Sequence, residues 1–165
     1  MDSSDTQNKY GPVCHVYSSS AALCFAATNT RKEHSPTISI DGSLKHDNEI
    51  EFDWRNKISL QCTRRELPVL AATLSGYLHR CEFRNHGEEK NKSITVTRQE
   101  KNLYVELTQK GKKKISVPVT WADAFYVSTL VLEQLRISSN SQSATDVLAI
   151  LKTTTANLIK FEKFQ

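Results

Sequence analysis

The sequence predicts an α+β fold built from two similar units, each a set of antiparallel strands followed by a helix. Three observations carry this. Apolar and polar residues alternate over most of residues 37–62 and again over 94–119, as strands with one buried face require. Twice the period changes to helical spacing. Each change falls at a capping box, Thr63-Arg64-Arg65-Glu66 and Thr120-Trp121-Ala122-Asp123, in which a threonine oxygen and a carboxylate each satisfy amides left over at a helix start.

Taken in order, residues 1–12 are small and polar and read as a disordered N-terminal arm. Tyr17, Ala21, Leu23 and Phe25 share one parity and suggest a strand weakened by Ser18, Ser19 and Ser20. Ile38, Ile40 and Leu44 share a face. Phe52 and Trp54 then keep parity with Ile58, Leu60 and Cys62, which places both aromatics on the core side of a strand. After the first capping box, Leu67, Leu70, Ala71, Leu74 and Leu78 follow at helical spacing until Gly76 offers a stop. Residues 77–83 lead into extended structure, with His86 to Lys92 as a polar loop. Three alternating runs follow, around Ile94, Leu103 and Ile115, with short polar connections that read as hairpins. The second helix, Trp121 to Ile137, is apolar most of the way round and therefore calls for burial on several sides. A Ser-rich linker, 138–143, precedes a C-terminal helical segment, 144–165.

A chain of 165 residues suits one domain. No apolar run approaches the ~20 residues of a membrane span, and the first dozen residues lack a signal core or an Arg-rich amphipathic pattern. The formal charge of +4 sits in the middle: residues 76–120 hold ten basic against five acidic side chains. That local excess suits a polyanion, or simply a solvated face. Cys14, Cys24, Cys62 and Cys81 show no C-x-x-C spacing, so reduced thiols are expected and no metal. Phosphate-cradling glycine loops, H-E-x-x-H and nucleophile elbows are absent from the sequence. Its five histidines are scattered. The pattern supports no catalytic constellation and no cofactor, and the protein is expected not to be an enzyme.

Binding chemistry is better represented. The polar strand faces carry Lys57, Gln61 and Tyr104, and Lys92, Arg98, Lys112 and Lys113 stand at strand ends. Cations of this kind contact phosphates, while Tyr17, Phe52, Trp54 and Tyr104 offer rings on which bases stack. For Lys112 and Lys113 the alternative is a hairpin tip kept soluble by charge.

These residues resemble the Whirly family of single-stranded-DNA-binding proteins. Val16-Tyr17-Ser18-Ser19-Ser20-Ala21-Ala22-Leu23 is similar to the family's V-Y-K-G-K-A-A-L, and Phe52-Asp53-Trp54-Arg55-Asn56-Lys57 to Y-D-W-E-K-K. Cys81-Glu82-Phe83, Lys92-Ser93-Ile94-Thr95-Val96 and Ser116-Val117-Pro118-Val119-Thr120 follow in family order, so the likeness spans about residues 13–137. The resemblance implies two antiparallel four-stranded sheets, each followed by a helix, with the helices forming the core of a homotetramer and single-stranded DNA lying along the sheet edges. It makes Tyr17, Ala22, Leu23, Phe52, Trp54 and Lys57 DNA contacts, and Leu70, Leu74, Phe125, Val131, Leu132 and Leu135 the oligomer core.

Ser18-Ser19-Ser20 replaces the family's K-G-K and so removes two cations and a glycine. Plant members carry a transit peptide and an acidic, aromatic tail, patterns not seen in this sequence. A cytoplasmic location is therefore expected, in a bacterium or for a phage or plasmid product, or an organelle matrix for a processed eukaryotic chain. The expected partner is single-stranded DNA, in replication, recombination, repair or transfer. RNA is the alternative within the fold, and a scaffold that has lost nucleic-acid binding is the alternative outside it. Residues 144–165 are expected to recruit a protein partner, to cap the helices or to regulate the DNA groove.

Overall fold

The structure is a computed structural model of the chain and describes residues 11–47 and 49–162. The first sheet has strands β1 (Val13–Tyr17), β2 (Ala21–Asn29), β3 (Pro36–Leu44) and β4 (Ile58–Gln61), in that order and all antiparallel. Helix α1 (Glu66–Leu74) follows. The second sheet repeats the pattern with β5 (Arg80–His86), β6 (Lys92–Arg98), β7 (Asn102–Gln109) and β8 (Ile115–Thr120), and α2 (Trp121–Ser138) closes it. A third helix, α3 (Ala144–Glu162), packs on α1 and α2. The α+β architecture of two four-stranded meanders, each followed by a helix, is the expected one.

One core lies between the two sheets and beneath the helices. Leu23, Phe25, Ile38, Ile40 and Ile58 from the first sheet are buried with Ile94, Val105, Leu107, Ile115 and Val117 from the second. Gly42 marks their closest approach, since a side chain there would collide with Leu107 and press to 3.2 Å on Ile115. Overfilling such a contact costs about 1–3 kcal/mol. Gly42→Val is therefore expected to lower the unfolding free energy by that amount, read as a lower urea midpoint with little change in slope, whereas an unchanged midpoint would show that the sheets part freely here.

The first capping box forms in full, the second through its threonine alone. The Thr63 amide donates to Glu66 at 2.8 Å and the Glu66 amide to the Thr63 hydroxyl at 3.3 Å. At α2 the Asp123 amide donates to Thr120 at 3.2 Å, and Ser143 repeats the device for α3 with Asp146. A β-bulge after Phe83 brings His86 within 2.9 Å of Glu66. Burial alone would raise the Glu66 pKa, but the hydrogen bonds from His86 and Thr63 outweigh it and hold the carboxyl below its usual range.

Several boundaries differ from the sequence reading. The expected strand through Tyr17 and Phe25 is a hairpin. Ser18 turns the chain by donating its amide to the Ala21 carbonyl at 2.8 Å while its hydroxyl accepts from the Ala21 amide. The alternation from Phe52 to Cys62 is broken by a 3₁₀ turn, Trp54–Asn56, capped by Asp53. The first helix stops at Leu74, and β5 begins at Arg80 and takes in His86, which had read as loop. In the Ser-rich stretch, Ser138 ends α2, Ser143 caps α3, and Arg136 donates to the Ser141 carbonyl at 3.2 Å, so the connection is held rather than slack. The expected arm lies outside the described residues except for Gly11 and Pro12, whose carbonyl accepts from Ala27.

Candidate nucleic-acid interface

Cross-strand partners share a face, so register decides what the first sheet shows to solvent. One row pairs Tyr17, Ala22 and Ser43, and the next His15, Cys24, Asp41 and Ser59. At the β1 end of these rows the aromatic side chains collect. The rings of His15 and Tyr17 are parallel within 7° at 6.0 Å, Tyr17 lies 5.6 Å from Phe52, and Trp54 meets His15 edge-on at 6.1 Å. Tyr17 is 60% exposed. Phe52 and Trp54 are half-buried, not in the core that their parity suggested. The reason is local: Asp53 accepts from the Asn56 amide at 3.4 Å and its side chain at 2.6 Å, and this tightens the chain into the 3₁₀ turn and resets the alternation before Ile58. The same Asn56 bonds hold the Asp53 carboxyl below its usual range.

The 3₁₀ turn also joins the rings to the basic hairpin between β7 and β8. Lys112 donates through Nζ to the carbonyls of Asn56 and Lys57, both at 3.1 Å. Lys113 is exposed beside it, and a cleft of about 270 Å³ opens between Asp53, Asn56, Lys112 and Lys113. A larger groove of about 850 Å³ lies between the start of β1 and α2. Among the described residues its one charged lining residue is Glu133, which does not suit a polyanion.

The other expected contacts fall elsewhere. Ala22 and Leu23 have no exposed surface: Leu23 points into the core and Ala22 is covered on the aromatic face, so neither side chain is available for contact. Arg98 is a structural cap. Its guanidinium donates to the carbonyls of Thr73 and Leu74 at 3.2 and 3.0 Å, and it lies 4.7 Å over the Trp121 ring. Lys92 ties the sheets together through the Ser59 carbonyl at 2.9 Å, and Gln61 donates to the Asn29 carbonyl at 3.0 Å. Tyr104 sits on the second sheet between Thr97 and Pro118, apart from the cluster. Lys57 is on the aromatic face but paired with Asp41 at 2.6 Å.

His15 was missed, because no spacing in the sequence tells that an isolated histidine on an edge strand will stack on its i+2 neighbour. Its row, with Cys24 and Asp41, looks like a nucleophilic constellation. Burial first, and then the carboxylate of Asp41, pushes the Cys24 thiol up, the opposite of an activated cysteine. Among the described residues no group of three or more His, Cys, Asp or Glu is placed to hold a metal ion, and no helix is long and apolar enough to cross a membrane.

The helical surface divides in two. Leu70, Leu74, Val131 and Leu135, expected in the oligomer core, are buried within the single chain, which leaves them nothing to offer another copy. Leu132 is partly buried against the same core. Phe125 is different, at 66% exposed with Tyr126 beside it at 65%, their rings 5.3 Å apart.

No family profile and no curated protein matches the sequence. Among solved structures, WHY1 from Arabidopsis thaliana is similar, with a TM-score of 0.58 and 13% identity, over 79% of this chain and 86% of that one. The match shows a shared Whirly-like fold.

Proposed function

We propose that the protein is a non-enzymatic binder of single-stranded DNA with little sequence preference, acting as a homotetramer on strands exposed in replication, recombination, repair or transfer. One observation carries the reading: a ring cluster of exposed His15 and Tyr17 with half-buried Phe52 and Trp54 is joined through a 3₁₀ turn to Lys112 and Lys113. Rings cushion any base and lysines follow any backbone, so this pairing selects for unpaired strands rather than for sequence. Duplex DNA keeps its base faces stacked and offers the rings nothing. The resemblance of the sequence to the Whirly family and the shared fold support the same reading.

A fluorescent 32-nucleotide oligo-dT is expected to bind at least about tenfold more tightly than the matching duplex at moderate salt, with affinity falling linearly in log-log salt titrations. Equal binding of the two would reject the proposal. Tighter binding of oligo-U than of oligo-dT would assign RNA instead, since only RNA has a 2′-hydroxyl to recognise.

A further inference from the structure

The cations around the rings divide by what already holds them. Lys57 is paired with Asp41 and Lys114 with Glu106, both at 2.6 Å, and Lys112 gives its ammonium to the carbonyls of Asn56 and Lys57. Arg55 is exposed on the 3₁₀ turn between Trp54 and Asn56, and among the described residues no carboxylate lies within ion-pair distance of it. The nearest carboxylate along the chain, Asp53, accepts from the Asn56 side chain at 2.6 Å and faces His46 at 3.9 Å. The sequence of the turn agrees with this division. Where the motif Y-D-W-E-K-K has E-K, this chain has Arg55-Asn56, so a cation stands in place of the acid, and the lysine gives way to the residue that closes the turn on Asp53.

A 3₁₀ turn sets successive side chains about 120° apart. Trp54 takes the direction that meets His15, and Arg55 leaves the turn on another side, in solvent. Base and phosphate likewise project from different sides of a nucleotide's sugar, so a strand whose base stacks on Trp54 carries its backbone past Arg55. Resting on the single-strand reading above, we infer that Arg55 is a further phosphate-contact residue, and that Lys112 is a positioning residue that pins the turn bearing Trp54 and Arg55 to the second sheet. The guanidinium offers a phosphate a planar fork of donors and gives up no partner within the chain to do so. Lys112 reaches from the β7–β8 hairpin to the last carbonyl of the turn and the one after it, both at 3.1 Å, and so fixes the direction in which ring and guanidinium leave the chain.

An abasic strand isolates the phosphate contact, because it keeps the backbone charge and offers nothing to stack. Two 15-nucleotide strands are compared by anisotropy over a salt series, oligo-dT and its fully abasic counterpart. Arg55→Ala is expected to weaken both by the same factor, about three- to tenfold at 0.1 M salt, and to lower the slope of log affinity against log salt by about one unit. Arg55→Lys is expected to restore the slope, and Lys152→Ala, which removes an exposed cation from α3, to leave it as in the wild type. Lys112 is tested through Trp54 in a Trp121→Phe background: Lys112→Met is expected to raise acrylamide quenching of Trp54, and Lys112→Arg to restore it. An unchanged slope in Arg55→Ala, or an equal drop in Lys152→Ala, with oligo-dT still bound by the wild type, would overturn the role of Arg55 and leave the single-strand reading standing. Unchanged quenching in Lys112→Met would overturn the role of Lys112. Failure of the wild type to bind either strand would overturn both the inference and the reading beneath it.

Discussion

Replacing Tyr17 and Trp54 together by alanine is expected to weaken binding of a 32-nucleotide oligo-dT by about 10- to 100-fold. A base stacked on an aromatic ring contributes about 1–3 kcal/mol, and each 1.4 kcal/mol is a factor of ten in affinity. Two rings therefore account for a change of this size even if they share one base. The fold has little stake in them: Tyr17 is 60% exposed at the end of an edge strand, and Trp54 stands in a short turn held by the Asp53 to Asn56 hydrogen bonds, which do not involve the ring. The salt dependence gives the second readout. Rings release no counterions, so the slope of log affinity against log salt should stay as in the wild type, whereas Lys113→Ala should lower it by about one unit and cost far less affinity. Tyr104→Ala, on the other sheet, should leave both quantities near wild type. A loss below about twofold in the double variant, with the fold intact by circular dichroism, would remove the rings from the interface.

That the cluster exists at all was only half legible in the sequence. Period and capping chemistry are local properties, and they placed the three hairpin strands around Ile94, Leu103 and Ile115, the caps at Thr63 and Thr120 and the second helix almost to the residue, because Thr63, Glu66, Thr120 and Asp123 act within one helical turn. Parity failed at Phe52 and Trp54 for an equally local reason that the pattern conceals. A 3₁₀ turn consumes residues without alternating them, so Ile58 regains the core while the two aromatics are released from it. Side-chain partners were the least readable. Arg98 reads like a phosphate contact until the chain folds and brings it to the open end of α1, and Lys57 loses its freedom to Asp41, sixteen residues away. His15 gains its meaning only from the neighbours that the fold supplies. Among the helices, the sequence showed that α2 is apolar nearly all round but not which apolar residues the chain would itself cover.

The distinction among those residues makes the assembly testable. Phe125→Glu combined with Tyr126→Lys is expected to dissociate the protein to its 18.7 kDa monomer while leaving it folded, because the two rings are 66% and 65% exposed and contribute little to the chain's own core. In a tetramer they would be covered. Burying one large apolar side chain contributes about 1.5–3 kcal/mol, and charged groups placed in the same contact add the cost of dehydration, so losses at several copies compound into dissociation at micromolar concentrations. Leu135→Ala is the counterpart. Leu135 lies on the buried face of α2 within one chain, so its truncation should cost about 2–5 kcal/mol of stability and lower the unfolding midpoint before it changes the mass. Light scattering separates the two outcomes at once. A wild-type mass near four chains that falls to one in the ring variant supports assembly through this face, and a wild-type mass of 18.7 kDa would exclude it. The consequence for binding follows from charge. Four chains bring four times the +4 of one to a common strand, so the folded monomer should bind oligo-dT more weakly and with a shallower salt slope, even though its own rings and lysines are untouched.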